Sequence, residues 1–145
     1  CRRVAPACGV ESAKLAPRRQ PTKGATMYTT IARWYVKDDR LDEARTALSA
    51  LAAEVLANEP STWAYVVHAG LDGSLPPSSP DEIVFFEVYA SQQAFLDHVN
   101  GPVFTSFLAA HGDLFQGAPL AEGTPFVQAQ SIDRIGGFVR AEAAS

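Results

Sequence analysis

The sequence predicts one α+β domain, and three features of its 145 residues lead to that fold class. Short runs of β-branched and aromatic residues alternate with helical segments in the order β-α-β-β-α-β. All fourteen aromatic residues lie after residue 26, and 47% of the chain is hydrophobic, which is enough for a buried core. Since no apolar run approaches about 20 residues, no transmembrane helix is predicted.

The first half of the domain reads as strand, helix and strand. Residues 27–36, with the run MYTTIARWYV, predict the first strand. A helix follows, because apolar residues recur at spacings of three and four; these are Leu41, Ala44, Leu48, Leu51 and Val55. We expect Asp38 or Asp39 to cap its start and residues 58–60 to end it. The second strand is predicted over residues 62–70.

The second half reads as strand, helix and strand after a proline- and serine-rich loop. Residues 82–89 predict the third strand. Ser91 caps a short helix that Gly101 closes, and Pro102 opens a second helical stretch that we expect to run through residue 115. The last strand is predicted from residue 126 to about 132. This order is that of a ferredoxin-like fold, an antiparallel four-stranded sheet in which the first and third strands are neighbours.

The ends of the chain differ from the domain between them. Residues 1–26 contain both cysteines and no aromatic residue, and we expect a non-native or disordered leader there, with Met27 as the natural initiator. A targeting peptide is the alternative. The domain is then 27–135 and the tail 136–145. Without cysteines, the domain is expected to use no disulfide or cysteine metal site, and a cytoplasmic location is expected.

Charge separates the two parts further. Residues 1–26 carry six Lys or Arg against one Glu, a net +5, whereas the rest of the chain carries six against fifteen acidic residues, a net −9. A domain of this charge is not expected to bind nucleic acid.

The predicted strands are apolar on both faces. In the third strand Val84, Phe86 and Val88 alternate with Ile83, Phe85 and Tyr89. Because the predicted helices cover one face only, we expect a second copy of the chain to cover the other, giving a homodimer packed through the sheet face. Trp34, opposite Arg33 on the first strand, is expected at that interface.

Three segments carry a family resemblance. EVYASQQAFLDH (87–98), VNGPVFTSF (99–107) and NEPSTWAY (58–65) resemble the antibiotic biosynthesis monooxygenase family, and the resemblance covers about residues 27–115. It implies a dimeric α+β barrel that uses O2, and no metal or flavin, to oxygenate a small aromatic quinol or anthrone-like substrate. A non-catalytic barrel that binds a small hydrophobic ligand, and an isomerase on the same fold, remain alternatives.

The resemblance and the residues together suggest three catalytic groups. His98 matches the family histidine and is the candidate base, although a structural helix histidine is the alternative. Tyr89 can hydrogen-bond a substrate oxygen or pack in the core. Arg33 can stabilise a phenolate or superoxide, or form an ion pair with Glu87 on a neighbouring strand.

Five further residues are predicted to line a substrate pocket, and the sequence also bears on metal and haem binding. The candidate substrate-binding residues are Trp63, Tyr65, His68, Phe104 and Phe107. The three histidines are widely spaced, so no metal site is predicted. The haem-degrading members of the family differ from this sequence at the positions of Arg33, Tyr89 and Leu108, although His111 lies near the last of these. No cofactor is therefore expected.

Overall fold

The computed structural model describes residues 27–117 and 125–136 as a sheet with helices on one face. The predicted leader and almost all of the predicted tail lie outside the described residues. Within the described ranges, no helix combines the length and apolar character needed to cross a membrane.

The described residues form five strands and three helices. In chain order these are β1 (Tyr28–Val36), α1 (Leu41–Asn58), β2 (Thr62–Ala69), β3 (Glu82–Tyr89), α2 (Gln92–Asn100), α3 (Pro102–His111), β4 (Phe115–Gln116) and β5 (Gln128–Ile132). The sheet is antiparallel and runs β2-β3-β1, with β4 and β5 paired along the other edge of β1. The predicted ferredoxin-like α+β fold is confirmed.

Two segments fill the fourth position of the sheet. β4 pairs with the end of β1, and β5 pairs with residues 29–33. The predicted extension of the last helix through Phe115 is wrong, because α3 ends at His111 and a single 3-10 turn follows. Phe115 then runs extended, and its ring lies edge-on to Trp34 with 5.0 Å between ring centroids. Burial of this ring accounts for the break in the helix.

Helix α1 lies on the sheet through the apolar face that its sequence predicts. Ala44, Leu48, Leu51 and Val55 are buried in the core. The predicted aspartate cap is wrong: the N-cap position is Arg40, and no side chain caps the helix. Asp39 instead has a positive φ of 60°, a conformation that aspartate tolerates better than most residues.

Trp34 lies at the centre of the core. It is 2% exposed, and its ring contacts five other aromatic rings, those of Phe85, Phe104, Phe107, Phe115 and Phe126. The prediction that Trp34 lies at a dimer interface is therefore wrong. Alternation in β1 places Trp34 and Arg33 on opposite faces, as predicted, but the helices cover the face of Trp34.

The junction of α2 and α3 is tightly built. The Ser91 hydroxyl accepts a hydrogen bond from the Ala94 amide at 3.1 Å, which confirms the predicted cap of α2. Gly101 ends α2 and precedes Pro102, the first residue of α3. A Cβ atom at Gly101 would lie 2.6 Å from the Asp97 carbonyl oxygen, so the junction requires glycine. This junction fixes the position of His98 in the last turn of α2.

The other face of the sheet carries mainly apolar side chains, and no described helix lies on it, although Thr29 and Val88 are buried there. Ile31, Val84 and Phe86 are only partly buried there, and Val66 is 45% exposed. The structure thus has the second apolar face that the strand sequences predict.

Candidate active site

His98 is buried between the sheet and the helices. It is 3% exposed, and its Nδ1 atom lies 2.7 Å from Oε2 of Glu59. Glu59 is the residue that ends α1, and its Oε2 atom also accepts a hydrogen bond from the Thr62 hydroxyl at 3.1 Å. Three elements therefore meet at this carboxylate: the end of α1, the start of β2 and helix α2.

Aromatic rings surround the imidazole of His98. The ring centroids of Tyr65, Tyr89 and Phe104 lie 5.4, 5.5 and 5.1 Å from its own. Phe104 also contacts Trp34, so it lies between His98 and the aromatic core. In this water-poor surrounding, hydrogen bonds and charges act more strongly than they do in solution.

A second carboxyl group lies deeper in the same region. Glu87 is 5% exposed, and Oε2 accepts a hydrogen bond from the Tyr89 hydroxyl at 3.0 Å. Burial raises the pKa of Glu87 to about 7, although the hydrogen bond from Tyr89 acts in the opposite direction. Glu87 therefore changes its charge near neutral pH.

Two residues with hydroxyl groups flank Glu87 across the sheet. The strand register places Thr30 of β1 and Tyr65 of β2 on either side of it. Both hydroxyl oxygens are buried, and neither has a hydrogen-bond partner among the described residues. Burial, together with the charge of Glu87, raises the pKa of Tyr65 and of Tyr89 far above the ordinary value, so both remain protonated at neutral pH.

Two adjoining cavities lie near the helices, and His98 lines one of them. The His98 cleft has a volume of about 280 Å³, and its lining includes Glu59, Thr62, Asp97 and His98. The α1–α3 groove, of about 500 Å³, is mainly apolar, and its lining includes Ala47, Ala50, Leu51, Phe107 and Ala110. Asn58, Pro102 and Val103 line both cavities, so the two share a wall. Together they can hold an apolar ring system beside a buried imidazole.

The family profile described as antibiotic biosynthesis monooxygenase matches residues 27–110, which is more than half of the chain. The chain belongs to this family. The match spans β1 through α3 and therefore includes His98, Glu59, Glu87 and both tyrosines.

Solved structures share this fold. A Caulobacter crescentus protein described as an antibiotic biosynthesis monooxygenase is 23% identical, with a TM-score of 0.61 over 77% of this chain and 92% of that one. One from Bacteroides thetaiotaomicron is 17% identical, with a TM-score of 0.62 over 82% and 100%. A Mycobacterium tuberculosis protein is 21% identical, with a TM-score of 0.56 over 83% and 100%. These likenesses establish the fold. No functionally curated protein matches the sequence.

The structure brings together four of the residues predicted for a monooxygenase site of this family. These are His98 and the three residues whose rings contact it, Tyr65, Tyr89 and Phe104. Phe107 lies apart from them, in the wall of the α1–α3 groove, where it contacts Trp34 and His111.

Arg33 lies on the opposite face of the sheet from His98. Its side chain is 45% exposed and forms an ion pair with Glu82 at 3.2 Å. The predicted ion pair of Arg33 with Glu87 is wrong, because the register pairs Arg33 with Val84 and Thr30 with Glu87. Glu87 therefore faces the helices, whereas Arg33 faces away from them.

Trp63 and His68 also lie away from His98. A β-bulge between Thr62 and Ala64 leaves Trp63 unpaired in the ladder and 55% exposed. His68 is exposed near the end of β2, with Nδ1 3.3 Å from the Val84 carbonyl oxygen. Neither residue contacts the ring of His98.

The sequence analysis does not single out Glu59, the carboxylate beside His98, or Thr30, which lies opposite Glu87 on β1. Glu59 enters the sequence analysis only as part of the NEPSTWAY segment, and Thr62 only as part of that segment and of the second strand. An acidic residue between the end of a helix and the start of a strand is the signal that could have identified Glu59. Among the residues that the structure describes, no three His, Cys, Asp or Glu side chains are grouped as metal ligands.

Proposed function

We propose that this protein is a cofactor-independent monooxygenase that oxygenates an electron-rich aromatic quinol or anthrone-like substrate with O2. One observation carries the proposal: a buried histidine, held by a carboxylate, lies at a cleft that adjoins a larger apolar groove. Membership of the monooxygenase family supports the reaction class.

In the proposed reaction, His98 removes the acidic proton of the substrate. A neutral imidazole is suited to this step, since histidine exchanges protons near neutral pH. The substrate anion then passes one electron to O2, and the resulting radical and superoxide join to form a carbon–oxygen bond. For an anthrone, the protonated peroxide loses water, so that CH2 becomes C=O and O2 supplies both the ketone oxygen and the water oxygen.

The cavities suggest how the substrate is held. The α1–α3 groove is large enough for part of a drug-sized aromatic molecule and offers mainly apolar side chains. Its shared wall with the His98 cleft would bring a phenolic edge toward the imidazole while the rings remain among apolar residues. Such orientation is the main contribution that a protein can make to a reaction whose chemistry belongs to the substrate and O2.

The proposed assembly is a homodimer through the open sheet face. The apolar side chains on that face would lose contact with water if a second copy of the sheet packed on it. The His98 cleft lies on the other side of the sheet and would stay accessible in such a dimer.

Oxygen consumption with a panel of anthrones and quinols tests the proposed function. We expect the wild-type protein to consume O2 with at least one of them and His98→Gln to lose most of this activity, each protein being checked for cooperative unfolding. The absence of oxygen consumption with every compound would reject the monooxygenase proposal.

A second candidate is a non-catalytic module that binds a small hydrophobic ligand, because the larger cavity is the groove and not the His98 cleft. Ala50→Trp would fill the groove, whereas Ala53→Trp places the same ring on an exposed part of α1 outside it. If anthrones bind without turnover, and if Ala50→Trp alone abolishes binding, the binding module is favoured.

A further inference from the structure

We propose that Glu59 is a positioning residue that holds His98 with its proton on Nδ1 and leaves Nε2 as the basic nitrogen. The effect on turnover rests on the proposed monooxygenase function. The tautomer itself is a property of the folded protein and can be measured without any substrate.

The argument begins with the contact between the two side chains. Nδ1 of His98 lies 2.7 Å from Oε2 of Glu59, and an ionised carboxylate can only accept hydrogen bonds. The nitrogen that faces the carboxylate must therefore carry the proton. In a neutral imidazole, the lone pair is then on Nε2, for which no hydrogen-bond partner is found within residues 27–117 and 125–136.

The position of Glu59 is itself fixed by several bonds. Its amide donates to the Val55 carbonyl at 2.9 Å, and its carbonyl accepts from the Thr62 amide at 2.9 Å. The Thr62 hydroxyl donates to the same Oε2 atom that faces His98. The connection between α1 and β2 thus holds Glu59 through its backbone and through Oε2, so the carboxylate is already in place beside Nδ1 of His98.

The remaining groups around His98 do not compete for Nδ1. Tyr65 of β2, Tyr89 of β3 and Phe104 of α3 present rings to the imidazole. Glu87 accepts a hydrogen bond from the Tyr89 hydroxyl. Asp97, next to His98 in α2, accepts a hydrogen bond from Gln93.

The contact spans two distant parts of the chain, the end of α1 and the last turn of α2. An arrangement in which a carboxylate orients the imidazole and stabilises its protonated form is effective in proton-transfer sites. The contact with Glu59 fixes the orientation of the His98 ring, which the helix alone would not fix. Glu59 needs no contact with the substrate for this role.

Nitrogen NMR of labelled protein tests the tautomer directly. In the wild type we expect the Nε2 resonance of His98 to be that of an unprotonated nitrogen and Nδ1 to carry the proton. In Glu59→Gln, which can offer either a donor or an acceptor, we expect this preference to be lost. A wild-type protein with the proton on Nε2, or a Glu59→Gln protein with an unchanged tautomer, would overturn the proposal.

Companion variants separate positioning from folding. Glu43→Gln is the matched control, because Glu43 lies in the first turn of the same helix and pairs with Arg40. Thr62→Val keeps Glu59 but removes one of its bonds, so a smaller change in the same direction is expected. Glu59→Asp, which retains the charge, is expected to recover the wild-type tautomer in part. If Glu59→Gln kept the wild-type tautomer of His98 and Glu59→Asp lost it, the proposed role of the carboxylate would be contradicted.

Turnover supplies the second measurement. With a substrate found in the oxygen assay, we expect Glu59→Gln to lower kcat by about 10–100-fold with little change in KM, as loss of an orienting partner does for other histidines. If the tautomer behaves as proposed and no compound is oxygenated, the monooxygenase function fails and the positioning role stands. An unchanged kcat together with an altered tautomer would limit Glu59 to a structural role and reject positioning.

Discussion

The hydroxyl of Tyr89 donates a hydrogen bond to Glu87 in the interior of the protein, with 3.0 Å between the two oxygens. The residues are two positions apart in β3, so strand alternation places both on the face that the helices cover. The pair therefore puts a titratable carboxyl group beside the ring that contacts His98. Its first consequence is a dependence of stability on pH.

We predict that ionisation of Glu87 destabilises the fold. Burial raises its pKa from 4.5 to about 7. Because the folded protein binds this proton more tightly than the unfolded chain does, the stabilisation is complete below about pH 4.5 and is lost as the pH rises to 7. The shift corresponds to about 3 kcal/mol.

Urea unfolding at several pH values measures this effect. Relative to the wild type, Glu87→Gln should gain about 3 kcal/mol between pH 4.5 and pH 8, since glutamine cannot ionise. Parallel stability curves for the two proteins over this range would show that Glu87 is not the responsible group.

We predict that Thr30→Val stabilises the protein by up to about 1 kcal/mol. The Thr30 hydroxyl is buried without a partner, and valine has the same shape and favours strands. Thr62→Val is the contrast, because it removes a hydrogen bond to Glu59 and should destabilise. A loss of stability for Thr30→Val in thermal unfolding would indicate that its hydroxyl has a partner after all.

Gly101 and Gly112 should respond in opposite ways to alanine. At Gly101 the added Cβ meets backbone, so we expect Gly101→Ala to destabilise by about 1–3 kcal/mol. At Gly112 nothing lies within 4 Å, and φ is −60°, so Gly112→Ala should stabilise by about 0.4–1 kcal/mol. Thermal unfolding of both variants provides the comparison, and equal effects would contradict the geometry of the α2–α3 junction.

The open sheet face should control assembly. We expect the wild type to be a dimer in light scattering and Phe86→Glu to be a folded monomer, because a carboxylate would be buried at the interface. Leu56→Glu is the control: Leu56 is 85% exposed on α1, away from the sheet face, and its replacement should leave the dimer intact. A monomeric wild type, or a dimeric Phe86→Glu, would reject this interface.

Much of the fold follows from local pattern. The spacing of apolar residues in α1 and the alternation in β1 and β3 predict these elements and the residues that share a face. The short strand at Phe115 does not follow, because the preference of its segment for helix is overridden by the contact of its ring with Trp34. The periodicity of apolar residues along the chain does not predict packing of this kind.

The candidate site, like the fold, was predicted from the sequence only in part. His98 and Tyr89 were identified from the sequence because a local motif carries them. The sequence by itself determined the order of elements except for β4, the two apolar faces of the sheet and the histidine on α2. Only the tertiary structure decided which face the helices cover, and with it that Trp34 is core and that Arg33 points away from His98. It alone also paired Glu59 with His98, because a contact across 39 residues depends on how helices and strands pack, whereas periodicity records only neighbours along the chain.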